Sequence, residues 1–222
     1  NTSEAQFKVE FECEFLGSIN TLINPAKLKN LMYENPVQKN AGLDIHEPPQ
    51  KDHNYLITVD VARGLGNDYS AFIVFDITNY PYNIVAKYRN NEIKPMLFPS
   101  VIEDVAKGYN SAFLLIEVND IGDQVASILN YDLEYENILM ASMRGRNGQV
   151  VGTGFSGKKT QLGVRTTAAV KKLGCSNLKT LLEDDKILVK DYDIISELTT
   201  FSQKHNSFEA EEGCNDDLAM CL

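Results

Sequence analysis

The chain has 222 residues, 43% of them hydrophobic, and a formal net charge of −10 with a pI near 4.8. That length holds one substantial α/β domain with at most a small appendage. The charge excludes an obligate, strongly basic nucleic-acid binder but not nucleic acid as a substrate, because bound cations and local clusters can offset it. No apolar run approaches the roughly 20 residues of a membrane-spanning helix, and the polar start, Asn1 to Gln6, lacks the apolar core of a signal peptide.

Phe7, Val9, Phe11, Cys13 and Phe15 alternate with charged residues, the pattern of a half-exposed strand. Asn24-Pro25 then opens a short capped helix, and residues 37–52, with two adjacent prolines and no periodicity, read as a linker. From Tyr55 the organisation changes. A strand over 55–60 meets the Gly-rich turn 63–68, followed by strands over 70–76 and 84–88 joined at 78–81, an antiparallel meander. A helix (99–108), a strand (112–117), a helix (121–131) and a strand (137–141) then alternate as parallel βαβ units do. A Gly-rich basic stretch (142–160), a helix (163–183), a strand (186–189), a helix (192–202), a strand (207–210) and a terminal helix complete the chain. Meander plus βαβ units give an α/β fold with a mixed sheet, in the ribonuclease H-like order, flanked by helices.

Cys13, Cys175, Cys214 and Cys221 have no zinc-ligand spacing and are expected to be free thiols in a reducing compartment. His46, His53 and His205 are scattered, so no nucleophile–base triad can be assembled. Gly64 and Gly66 are not followed by the Gly-Lys-Ser/Thr of a phosphate-binding loop.

Three acidic clusters carry the chemistry. Asp60 and Glu117 each close an apolar strand, where a carboxylate is costly unless it is paired or functional. Strand carboxyl ends are also where open α/β sheets bind ligands. Asp216-Asp217 open the last helix, where acids commonly serve as caps, so one of the pair can ligate while the other supports. Asp68 by itself reads as a turn-former. If the clusters converge, they form an all-oxygen site suited to Mg²⁺ or Mn²⁺. The basic stretch, with Arg144, Arg146, Lys158, Lys159, Arg165 and Lys172, is either a solvated face or a contact to a phosphate backbone.

Phe11-Glu12-Cys13-Glu14-Phe15-Leu16-Gly17, the strand ending in Asp60 with its Gly-rich turn, Ile116-Glu117, Gly174 to Lys179, and Glu211 to Leu218 together resemble the C-terminal nuclease domain of the large terminase subunit of tailed bacteriophages. The resemblance implies a ribonuclease H-like fold. It also implies a metal-dependent endonuclease that cuts concatemeric double-stranded viral DNA at the start and end of headful packaging and contributes to translocation. The family's catalytic acids fall on Asp60, Glu117 and one of Asp216 or Asp217, with Asp217 preferred, and Asp68 matches a further acidic position near the metals. One or two Mg²⁺ or Mn²⁺ ions are implied, with partners in the portal protein, the small terminase subunit and an N-terminal ATPase domain of the same polypeptide. The implied place of action is the portal vertex of the procapsid in the host cytoplasm, with no membrane involved. Asn215 departs from the family, which often has His there.

On this reading residues 1–50 are a lead-in strand, short helix and linker from a missing ATPase domain. Residues 51–222 are the nuclease domain, itself expected to continue beyond Leu222. Two other readings stay open: a non-catalytic module that docks on DNA or the portal, and a phosphotransferase of the actin and sugar-kinase type. The second predicts a repeated half, which the sequence lacks.

Overall fold

The computed structural model describes residues 20–66, 68–143, 149–152, 160–205 and 207–222. The expected strand over 7–15 and four of the expected phosphate contacts (Arg144, Arg146, Lys158, Lys159) lie outside these residues. The short helix α1 (Pro25–Asn30) is capped by Asn24, whose side chain accepts from Ala26 N. A hairpin, β1 (Gln38–Asn40) and β2 (Leu43–Ile45), follows, then β3 (Tyr55–Asp60), β4 (Ser70–Asp76) and β5 (Tyr82–Asn90). Helix α2 (Phe98–Gly108) leads to β6 (Phe113–Ile116), and α3 (Gly122–Ser127) runs on into a π-helical turn over Ile128–Asp132. The remaining elements are β7 (Met140–Met143), β8 (Gln149–Gly152), β9 (Thr160–Leu162), α4 (Ala168–Glu183), β10 (Ile187–Leu188), α5 (Tyr192–Thr200), β11 (Phe201–Lys204), β12 (Ser207–Ala210) and α6 (Asp217–Cys221).

The main sheet runs β1-β2-β5-β4-β3-β6, with β10 pairing the other end of the β5 edge. Strands β3, β4 and β5 form the antiparallel meander, and β6 joins β3 in parallel. This is the mixed sheet that the sequence predicts. Central β4 is buried at all but its last position, which is why 71–75 is a continuous apolar run rather than an alternating one. Phe72 and Val74 face a core built with α2, α3 and β6. Ala71, Ile73 and Phe75 face a second core built with α1, α4, α5 and α6. Both faces of the sheet are therefore covered by helices.

Three of the differences from the expected boundaries have a cause in the contacts. Residues 37–52 read as a linker, yet β2 pairs β5 through Leu43–Tyr88 and Ile45–Ala86, turning at Ala41 (φ 45) and Gly42 (φ 93). Three-residue strands are too short for a period to show. The helix expected from 163 starts at Ala168, because Val164 N donates to Ile116 O and Val118 N to Val164 O, extending the sheet past β6. The helix expected to reach 202 ends at Thr200. The hydroxyls of Thr199 and Thr200 bond back to the Ser196 and Glu197 carbonyls, and Phe201 enters a hairpin with β12.

One buried ionic network joins sheet edge to helix. Asp191 caps α5 by accepting from Ile194 N at 3.1 Å, and its other oxygen accepts from His46 Nε2 at 2.9 Å. Lys87 on β5, itself buried, lies 3.7 Å from Asp191 and 3.3 Å from Asp44 and also pairs with Asp193. Burial pushes the Asp191 carboxyl up, but the His46 hydrogen bond and the Lys87 charge outweigh it and hold the group below its ordinary value. Removing one member leaves uncompensated charge, so Lys87→Met is expected to cost about 3–5 kcal/mol in urea unfolding. The depressed carboxyl contributes stability above the unfolded value of about 3.9 and loses it as pH falls through the folded value. Asp191→Asn should accordingly flatten the acid limb of the stability profile.

Candidate metal centre

The register of β3 on β6 sets the site. Val59 pairs with Ile116 in parallel, and Glu117 N donates to Val59 O at 2.9 Å, so Glu117 comes alongside the end of β3 at Asp60. Alternation then places Leu56, Thr58 and Asp60 on the face opposite Ile57 and Val59, which is the face that α6 covers. Thr58 Oγ1 donates to Cys221 O at 2.5 Å, and Cys221 Sγ lies 3.6 Å from Ala71 O. These contacts lay the helix that begins at Asp217 across β3 and β4.

The Asp60 and Glu117 carboxyls are within hydrogen-bonding reach of each other. Desolvation first, then the charges of Glu117 and Asp217, hold Asp60 well above the ordinary carboxylate range. Glu117 is fixed by Asn119, whose Nδ2 donates to Oε1 at 2.9 Å and to Thr166 O at 2.8 Å. Behind it, Gly122 allows a close approach of chain to chain: a Cβ there would lie 1.9 Å from Glu117 O. Asp217 is buried, and its Oδ1 accepts from Tyr69 N at 3.2 Å, while Oδ2 is buried without a hydrogen-bond partner. Burial is the main cause that raises its carboxyl to about 6.

Asp60, Asp68, Asp216 and Asp217 line one cleft of about 300 Å³ together with Arg63, Tyr69 and Asp120. Glu117 does not line it and joins the cluster through Asp60. Asp216 is the more exposed of its pair: Lys171 Nζ stands 3.9 Å away, and Ala210 N donates to it at 3.4 Å. Arg165 and Lys172 are exposed and line no part of the cleft. Among the described residues no three His, Cys, Asp or Glu side chains form a ready-made metal cage. The residues nonetheless fit a hard cation. The donors are oxygens, Asp217 Oδ2 has no partner, and two carboxyls press together where an ion would separate their charges.

Sequence reading missed the side chains that hold Asp217. Glu197 on α5 is buried, and its Oε2 accepts from Leu218 N at 2.8 Å and Ala219 N at 3.0 Å. Its Oε1 lies 3.4 Å from Arg89 Nη2, and the Arg89 guanidinium sits 3.9 Å over the Tyr69 ring. A signal was present: Ile194, Leu198 and Phe201 form a helical apolar stripe, and Glu197 stands inside it. Burial, only partly offset by the Ala219 hydrogen bond and by Arg89, raises Glu197 to about 7. A carboxyl raised in the fold stabilises it below the unfolded value of about 4 and loses that contribution as pH rises through the folded value. Thermal melts in EDTA are expected to show Asp217→Asn and Glu197→Gln gaining stability relative to the parent as pH rises from about 5 to 8. Parallel profiles would refute it.

Comparison with known proteins agrees with this architecture. The sequence profile of the terminase RNaseH-like domain matches residues 57–219. Among solved structures, the large terminase nuclease from thermophilic phage G20c with bound magnesium superposes with a TM-score of 0.68 at 22% identity, over 92% of this chain and 95% of that one. Its cobalt-bound form gives 0.67 at 22% identity over the same shares. The large terminase nuclease domain of Thermus phage P74-26 gives 0.64 at 21% identity, over 91% and 92%. With the profile spanning the meander, β6, α4 and the start of α6, the chain belongs to the family of terminase RNase H-like domains.

Proposed function

We propose that the chain is a metal-dependent endodeoxyribonuclease that cuts concatemeric viral double-stranded DNA to begin and end headful packaging, and that it contributes to DNA translocation. The observation that carries this reading is the pairing of Asp60 with Glu117 on adjoining strands, faced by an Asp217 oxygen that lacks a partner. Asp60, Glu117 and Asp217 would hold Mg²⁺ or Mn²⁺, with Asp68 and Asp216 at the outer wall of the cleft. Such an ion supplies charge neutralisation and Lewis-acid activation of water and phosphate. The solved structure of the G20c nuclease with bound magnesium supports a cation at a fold of this kind.

The chain's own groups dictate the need for a cation. A phosphodiester entering the cleft meets Asp60, Asp68, Asp120, Asp216 and Asp217, and repulsion opposes it until positive charge is added. Asn119 and Gly122 hold Glu117 beside Asp60, while Tyr69 and Glu197 hold Asp217. The acids therefore need little rearrangement to act together. Arg144, Arg146, Lys158, Lys159, Arg165 and Lys172 would carry the duplex by its phosphates, without reading bases. The portal protein, the small terminase subunit and an N-terminal ATPase domain preceding residues 1–50 are the proposed partners, acting at the portal vertex of the procapsid. No helix among the described residues is long and apolar enough to cross a membrane.

Supercoiled plasmid incubated with Mg²⁺ or Mn²⁺ tests the reading. The parent is expected to nick and linearise it. Asp60→Ala and Glu117→Ala should each slow cleavage at least about a hundredfold, several kcal/mol of lost charge stabilisation. Variants as fast as the parent would reject the assignment. A chain without cation-dependent cleavage would leave the docking role.

A further inference from the structure

The acidic cleft carries a cation of its own. Among the described residues lining it, Arg63 is the single basic one, set against Asp60, Asp68, Asp120, Asp216 and Asp217. It is not turned toward the buried acids. Its Nε donates to Asp120 Oδ2 at 2.7 Å and its Nη2 to Asp120 Oδ1 at 2.6 Å, a two-pronged pair across the cleft wall. We propose that Arg63 is a phosphate-contacting residue of this cleft, held in reserve by Asp120 and transferred to a phosphodiester of the DNA backbone when substrate enters. The inference rests on the nuclease reading and deepens it.

Three observations favour an exchangeable pair over a fixed staple. First, both loops are anchored without it. Arg63 precedes Gly64 (φ +68), where a Cβ would lie 2.4 Å from Ile93 O, and Gly66 N donates to Asn91 O at 3.1 Å. On the other side Asp120 (φ 48) sits in the turn closed by Gly122 against Glu117 O. Breaking the pair therefore costs the fold little.

Second, both side chains are open to solvent, at 64% and 57% exposure. Pairs of that kind are weak and readily exchanged. Third, the Asp120 carboxylate offers the guanidinium two oxygens in a plane, which is the face that the non-bridging oxygens of a phosphodiester also offer. A phosphate can thus replace Asp120 without a new backbone position for Arg63. Asp120 in turn acts as a competitor that lowers resting affinity for DNA, so its removal should strengthen binding rather than weaken it.

The test compares the parent chain with Arg63→Ala, Arg63→Lys and Asp120→Asn. A short labelled duplex is followed by fluorescence anisotropy in Ca²⁺, and its cleavage in Mg²⁺, each over a series of NaCl concentrations. Arg63→Ala is expected to lose about tenfold in duplex affinity and kcat/KM, with a salt slope shallower by about one. Arg63→Lys should restore the slope and only part of the affinity, because the two-pronged contact is gone. Asp120→Asn should bind the duplex more tightly than the parent at an unchanged melting temperature.

Equal losses in Arg63→Ala and Asp120→Asn with lowered melting temperatures would identify a structural staple and overturn the proposal. An unchanged affinity and slope in Arg63→Ala would overturn it as well, as would a parent that does not bind the duplex. Failure of the nuclease reading is separately visible, as a parent that binds the duplex but does not cleave it in any divalent cation.

Discussion

The repulsion between carboxylates that the fold forces together is the constraint on which the rest of the site depends. Asp60 and Glu117 cannot avoid each other: the parallel register of β3 on β6 puts them on neighbouring chains, and alternation points Asp60 to the face that α6 covers. Asp217 arrives on that same face. Desolvation and like charge raise Asp60 and Asp217 together. Taking up a proton relieves part of that repulsion in the metal-free protein. Such a cluster is expensive as structure and makes sense as a cation site.

The third acid shows how much tertiary structure is needed to deliver one side chain. Helix α6 has five residues, too few to persist by backbone hydrogen bonds alone. It is held by contacts from outside: Glu197 takes its first free N–H groups, Thr58 takes a carbonyl near its end, and Tyr69 N takes the Asp217 carboxylate. Arg89, stacked on Tyr69 and beside Glu197, limits with its charge how far burial raises Asp217. The site therefore draws on β3, β4, β5, β6, α5 and α6, and the same elements build the two cores.

Much of this was legible in the sequence because burial leaves a pattern. Strands 55–60 and 70–76 and the helix at 98–108 are long apolar runs or amphipathic turns, and an acid closing such a run is conspicuous, as at Asp60 and Glu117. Asp217 is buried and Asp216 is the more exposed, a difference that two adjacent acids do not show in a sequence. What escaped had no local signature. The β1–β2 hairpin is too short for a period, and its partner strand lies some 40 residues on, at Ala86–Tyr88. The meeting of Asp191, His46 and Lys87 depends on segments far apart in the chain. Asp120 directly precedes the helix expected from 121, and nothing local shows that the structure turns it back onto Arg63.

Calorimetric titration of Mn²⁺ into the metal-free chain, repeated in two buffers with different ionisation enthalpies, addresses the central claim most directly. Carboxyls raised by burial and mutual repulsion must surrender protons when a cation takes their place. Saturable binding with net proton release, lost together in Asp60→Asn, is the result that this account predicts. An absence of binding, or binding that releases no protons and survives Asp60→Asn, would contradict it.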